Sequence, residues 1–274
     1  MREDSRQGWS RREMLNVMAW TVFAGIAGTD VAGFGQAQST EPQQSMDSLL
    51  PQGSQQLAAL MDTLAKAPHR RDFKTVPMIL TDPEMWDAQA IHDVLHYPGN
   101  PKMVWHNTDL EGPWLNLMRL TLNAQIWSFK HPNFLIVSVT HGSAALALFD
   151  EQAWTKYEFP KLTKNKVKRN TFIDIPAAAF ANPADFQNPE GAYSAKATSI
   201  AVLQRRGVVF MACHDGIWGL AGHLHSKGHN PDRLSQPQLA ADLTNHLIPG
   251  AILTPDVVAE LVALERAGFA YAHS

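Results

Sequence analysis

The sequence predicts an open α/β fold, a mostly parallel sheet with helices on both faces. Two observations lead there. From about residue 100 onward, short apolar strands alternate with segments of helical spacing, the order that builds parallel sheets. The strands are also unbroken apolar runs, as expected where both faces are covered. Phe134–Val139 and Val208–Ala212 are the clearest cases.

The first strand is Met103-Val104-Trp105, ending in His106-Asn107. Pro113 opens a helix through about Phe129, with Leu115, Met118, Leu122 and Ile126 on one face. The second strand ends in Thr140-His141-Gly142, and small apolar residues from Ser143 to Phe149 continue as a helix. Residues 151–193 interrupt the rhythm. With five basic residues between Lys161 and Arg169 and many turn formers, they read as a surface insertion of short helices. The basic run reads as a solvated loop, with anion binding the alternative. Ser194–Arg206 is a helix stopped by Gly207. Val208–Ala212 delivers Cys213, and a helix follows from about Asp215 to His225. Ala240–Leu247 is helical, Ala251-Ile252-Leu253 is a strand, and Thr254-Pro255 starts the last helix. Gly268 ends it, and Phe269–Tyr271 forms a closing edge strand.

Before the sheet, residues 38–100 read as a lead-in with N-terminal helices. Residues 38–56 are Gln/Ser/Pro-rich and expected to be disordered. Residues 57–66 have helical spacing, and Asp82-Pro83 opens a helix from about Glu84 to Leu95. Residues 1–37 read as a twin-arginine export signal: Ser10-Arg11-Arg12-Glu13-Met14-Leu15, an apolar stretch to about Gly28, then a small-residue exit at Gly35-Gln36-Ala37. A periplasmic location follows from that reading. The apolar stretch is too short for a comfortable membrane span, so no stable span is expected after cleavage.

Composition bounds the function. The net charge is −3, with 45% hydrophobic and 18% charged residues, so no broad basic surface for nucleic acid is expected. GxGxxG, P-loop, GxSxG and HExxH motifs are absent, and no cofactor is expected. The single cysteine rules out an intramolecular disulfide.

In open α/β sheets, ligands gather at the carboxyl ends of the strands. His106, His141 and Cys213 sit there, with Thr254 after the fourth strand. A helix N-terminus after Cys213 favours its thiolate, and His214 beside it can add charge. The alternative is a small buried cysteine that only fills space. A rival chemistry lies in the cluster of His214, His223, His225 and His229, whose imidazoles suit zinc or copper, although the spacing matches no standard zinc pattern.

The stretch Gly207–Cys213, following Arg205-Arg206, resembles the DsrE/DsrF-like (sulfur-relay) family, where a helix of this kind feeds a cysteine-bearing strand. Leu247-Ile248-Pro249-Gly250-Ala251-Ile252-Leu253-Thr254-Pro255 and the tail Ala267-Gly268-Phe269-Ala270-Tyr271 are similar to that family's C-terminal stretch. The likeness covers roughly 100–150 and 194–272, within a domain taken as 101–274. It implies an α/β sandwich that forms homo-oligomers, trimers or hexamers. It also implies a cysteine, here Cys213, that takes sulfane sulfur as a persulfide from a small-molecule or protein donor and passes it on. His106, His141 or His214 would assist by charge or proton transfer.

Overall fold

The computed structural model describes residues 48–274; the export signal read over residues 1–37 lies outside them. Five strands form one parallel sheet in the order β4-β3-β2-β1-β5: β1 Lys102–Asn107, β2 Leu135–Thr140, β3 Val209–Cys213, β4 Ala251–Thr254 and β5 Ala270–His273. The chain adds β2, β3 and β4 on one side of β1, then returns to place β5 on the other.

Alternation along the strands divides the core into two layers. Val104, Leu135, Val137, Val139, Val209, Met211, Cys213 and Ile252 face one side. They are covered by α1 (Gln55–Lys66), α2 (Ala88–Leu95) and α9 (Val257–Arg266). Trp105, Ile136, Phe210, Ala212, Ala251 and Leu253 face the other. They are covered by α3 (Trp114–Asn123), α6 (Ile200–Arg205), α7 (His214–Lys227) and α8 (Gln236–Asn245). Full burial of each Val, Leu, Ile, Met or Phe side chain among them contributes about 1.5–3 kcal/mol. This is the expected open α/β fold, with helices on both faces.

Four local readings need correction. Residues 48–54 are not a disordered lead-in: Leu49 is buried, and its amide donates to the Arg205 carbonyl at 2.9 Å. The helix expected over 84–95 divides into a 3-10 turn, Pro83–Met85, and α2, with Trp86 in extended backbone between them. The helix expected to start at Ser194 begins at Ile200, capped by Ser199. The last helix is capped by the Asp256 carboxylate, which accepts from the Ala259 amide at 2.6 Å, and Thr254 is the final residue of β4.

The insertion is more than surface. Its short helices α4 (Glu151–Lys156) and α5 (Phe159–Leu162) place Trp154, Tyr157 and Phe159 fully inside the core. The Trp154 indole donates to the Leu146 carbonyl at 2.9 Å, which lets so large a side chain be buried without an orphaned N–H. The Tyr157 hydroxyl donates to Asp242, tying the insertion to α8.

The two sheet edges differ. Along β4, Asp87 closes the backbone: its carboxylate accepts from the Leu253 amide at 2.7 Å, and its own amide donates to the Leu253 carbonyl at 3.1 Å. Arg71 pairs with the same carboxylate through two nitrogens and also donates to the Ala251 carbonyl. Along β5 no further strand pairs on the outer side among the described residues, and Ala270, Tyr271 and His273 are exposed. Among the described residues no helix is long and apolar enough to cross a membrane.

Candidate functional site at the carboxyl rim of the sheet

Strand register brings the expected residues to one side of the rim. His106 lies opposite Val139 on β2, and Cys213 lies opposite Thr254 on β4. Alternation gives His106, Cys213 and Thr254 the same face, the one beneath α9. His141 follows β2 in extended backbone and keeps that phase. The rim then divides into a histidine half and a thiol half.

In the histidine half, the Nε2 atoms of His106 and His141 are 2.6 Å apart and the rings stack at 4.8 Å. One ring must donate its N–H to the lone pair of the other, so a single proton lies between them. His106 Nδ1 contacts the Tyr271 hydroxyl at 2.9 Å, which extends the chain to a residue 45% exposed. Burial lowers the pKa of both imidazoles. His141 and His273 lower His106 further, while Asp256 opposes the shift at His141. Both shifts favour the neutral imidazole, and one neutral ring suffices to accept the shared N–H···N bond.

In the thiol half, Cys213 caps α7. Its Sγ accepts from the Gly216 amide at 3.3 Å and lies 4.0 Å from Asp256 Oδ2, a carboxylate positioned to take the S–H. Cys213 is only 5% exposed. Burial raises its pKa more than the backbone N–H groups of Val257 and Gly216 lower it, and Asp256 and Asp215 raise it further. The helix N-terminus does not make a resting thiolate here; desolvation and two carboxylates outweigh it. The Thr254 hydroxyl, buried in the residue paired with Cys213, has no hydrogen-bond partner among the described residues.

His214 does not join this rim. It is buried, and its Nε2 donates to the Pro77 carbonyl at 2.9 Å. The alternative metal set also fails to assemble. His225 bonds the Leu234 carbonyl and His229 bonds Glu158, while His223 sits half-buried on α7. Among the described residues no group of three or more His, Cys, Asp or Glu side chains converges as metal ligands would. The basic run of the insertion is largely paired: Lys161 with Glu158, Lys166 with Glu111, Arg169 with Asp174. A groove of about 310 Å³ beside it is lined by Glu151 and Glu158 as well as Lys161 and Lys168, which balances its charge.

Sequence reasoning did not single out Tyr271, His273 or Asp256. Tyr271 and His273 reach the site only through the β1–β5 pairing, which sets His106 opposite His273. Asp256 had a usable signal, an acidic residue one position before a helical run. A buried polar ladder was also missed: Ser274 Oγ to Asn107, Asn107 to Ser138, and Ser138 to Thr140. Ser138, inside an otherwise apolar strand, was its only visible mark.

Neither a scan against protein-family models nor a search of curated proteins gives a match for this chain.

Proposed function

We propose that the protein is an exported, homo-oligomeric DsrE-like carrier of sulfane sulfur, with Cys213 as the acceptor. The observation that carries this reading is the unpaired Thr254 hydroxyl beside a thiol that already receives backbone N–H donors. A buried hydroxyl without a partner costs about 1–3 kcal/mol, so its retention beside Cys213 fits a group reserved for an additional acceptor atom. The terminal sulfur of a persulfide supplies one.

The reaction follows from these groups. Asp256 takes the Cys213 proton. The thiolate attacks the sulfane sulfur of a thiosulfate or polysulfide, forming a new S–S bond as the donor's S–S bond breaks. The electron pair leaves with sulfite or the shortened polysulfide. The anionic terminal sulfur accepts the Thr254 O–H. Transfer to an acceptor thiol reverses these roles.

Intact-protein mass spectrometry before and after exposure to polysulfide tests the reading. A gain of whole sulfur atoms, reversed by reductant and lost in Cys213→Ser, is expected. Gain that persists in Cys213→Ser sinks the assignment.

A second reading rests on the converging Nε2 atoms of His106 and His141, which offer two imidazole ligands of the kind zinc or copper takes. Stoichiometric metal in the purified protein, lost in His106→Gln, would support it; metal-free protein would exclude it.

A further inference from the structure

At the amino end of the sheet, far along β3 from Cys213, two arginines carry charge that the described residues do not neutralise. Arg206 follows α6, just before Gly207 turns the chain into β3, and is 1% exposed. Its Nη2 donates to Asn123 Oδ1 at 2.7 Å, but no acceptor meets Nε or Nη1. Arg119 on α3 is 9% exposed. It donates to the Tyr193 carbonyl at 3.1 Å and to Asn116 Oδ1 at 2.8 and 3.1 Å. The acceptors of both guanidiniums are uncharged amides and carbonyls; among the described residues no carboxylate pairs with either.

Aromatic rings compensate only in part. The Arg206 Cζ lies 5.0 Å from the Tyr193 ring and 5.6 Å from Trp127. A π face stabilises the flat side of a guanidinium; it offers nothing to the N–H groups at its edge. Burial pulls the Arg206 pKa down to about 9, with Tyr193 opposing the shift and Arg119 adding to it. The guanidinium stays cationic near neutral pH, in a setting where a buried charge ordinarily has a counterion. Phe186, 40% exposed and stacked on Trp127 at 5.2 Å, forms the outer wall of this aromatic layer. It belongs to a solvent-facing stretch of the insertion, residues 182–187.

We propose that Arg206 and Arg119 form the site of a small oxyanion of the sulfate or phosphate type, enclosed by α3, α6 and the segment carrying Phe186 and Tyr193. Two positive charges call for a dianion, and the unmet Nε and Nη1 donors supply its hydrogen bonds. The site is separate from the Cys213 rim and does not depend on the sulfur reading.

Equilibrium dialysis of the full chain with labelled sulfate, and separately phosphate, at constant ionic strength in chloride tests it. One saturable site per chain is expected. Arg206→Met should weaken binding at least about tenfold, the loss of a charge-assisted hydrogen bond. Cys213→Ser should bind as the parent does. If Arg206→Met does not fold by circular dichroism, Arg119→Gln, on the more accessible partner, should show weakened binding in its place. No saturable binding by the parent, or equal binding by the arginine variant, would overturn the proposal and leave Arg206 a core residue held by its aromatic neighbours.

Discussion

The histidine half and the thiol half of the rim occupy equivalent places, each at the carboxyl end of neighbouring parallel strands, yet they hold opposite chemistry. His106 and His141 stand near the open β5 edge and connect through Tyr271 toward solvent. Cys213 stands next to β4, whose outer edge is closed by Asp87 and Arg71. The first half can exchange a proton; the second holds its proton against a nearby carboxylate. A strand end therefore supplies a location, and the cover over the neighbouring edge decides reactivity.

The largest expected effect tests that cover. Asp87→Ala removes one partner of a buried ion pair and exposes the β4 backbone, so it should destabilise the protein by about 3–5 kcal/mol. Denaturant titration measures the loss. Alkylation of Cys213 under native conditions should also become faster in this variant. Unchanged alkylation would break the link between edge and thiol.

The next prediction sets the two halves against each other by pH. The folded imidazoles of His106 and His141 have pKa values below the ordinary value, so the unfolded chain binds more protons in that window. Their contribution is present above about pH 6.5 and is lost as pH falls through that value toward the lower folded pKa values. The folded Cys213 thiol is shifted upward, so the folded chain holds the proton longer. Its contribution is present below about pH 8.5 and is lost as pH rises through that value toward the higher folded pKa. Stability against pH should fall at both ends, with His141→Gln flattening the acid limb and Cys213→Ala the alkaline one.

These features were unequally legible in the sequence. The strands β2, β3 and β4 read correctly because each is a compact apolar run ended by a polar residue or cysteine, as at Val209–Cys213, whereas the exposed β5, expected over 269–271, runs Ala270–His273. The burial of Trp154, Tyr157 and Phe159 was hidden, because α4 and α5 are too short to show a helical period. Thr254 and Asp256 are both good cap residues two positions apart; Pro255 between them suggested the first, and the acidic residue directly before Val257 was the signal passed over. At the site, position was readable and charge state was not. The expectation of a Cys213 thiolate used the helix N-terminus and lacked the desolvation and the two carboxylates that outweigh it. His214 was adjacent in sequence, but its ring belongs to Pro77.

Smaller effects refine the contrast. Thr254→Val should stabilise the resting protein by about 1–3 kcal/mol, because the hydroxyl it removes is buried without a partner among the described residues. Yet it should shorten the lifetime of a persulfide on Cys213, read by intact mass over time. Tyr271→Phe removes a hydrogen bond at a half-exposed residue and should change stability by about 0.5 kcal/mol at most.

The most direct test of the central claim compares polysulfide loading of Cys213 in the parent, Asp87→Ala and Cys213→Ser at neutral and alkaline pH, followed by intact mass. The account predicts slow loading of the parent at neutral pH, faster loading at alkaline pH, faster loading still in Asp87→Ala, and none in Cys213→Ser. A parent that never gains sulfur at any pH, while its unfolded form does, would contradict the account and reduce Cys213 to a packing residue of the core.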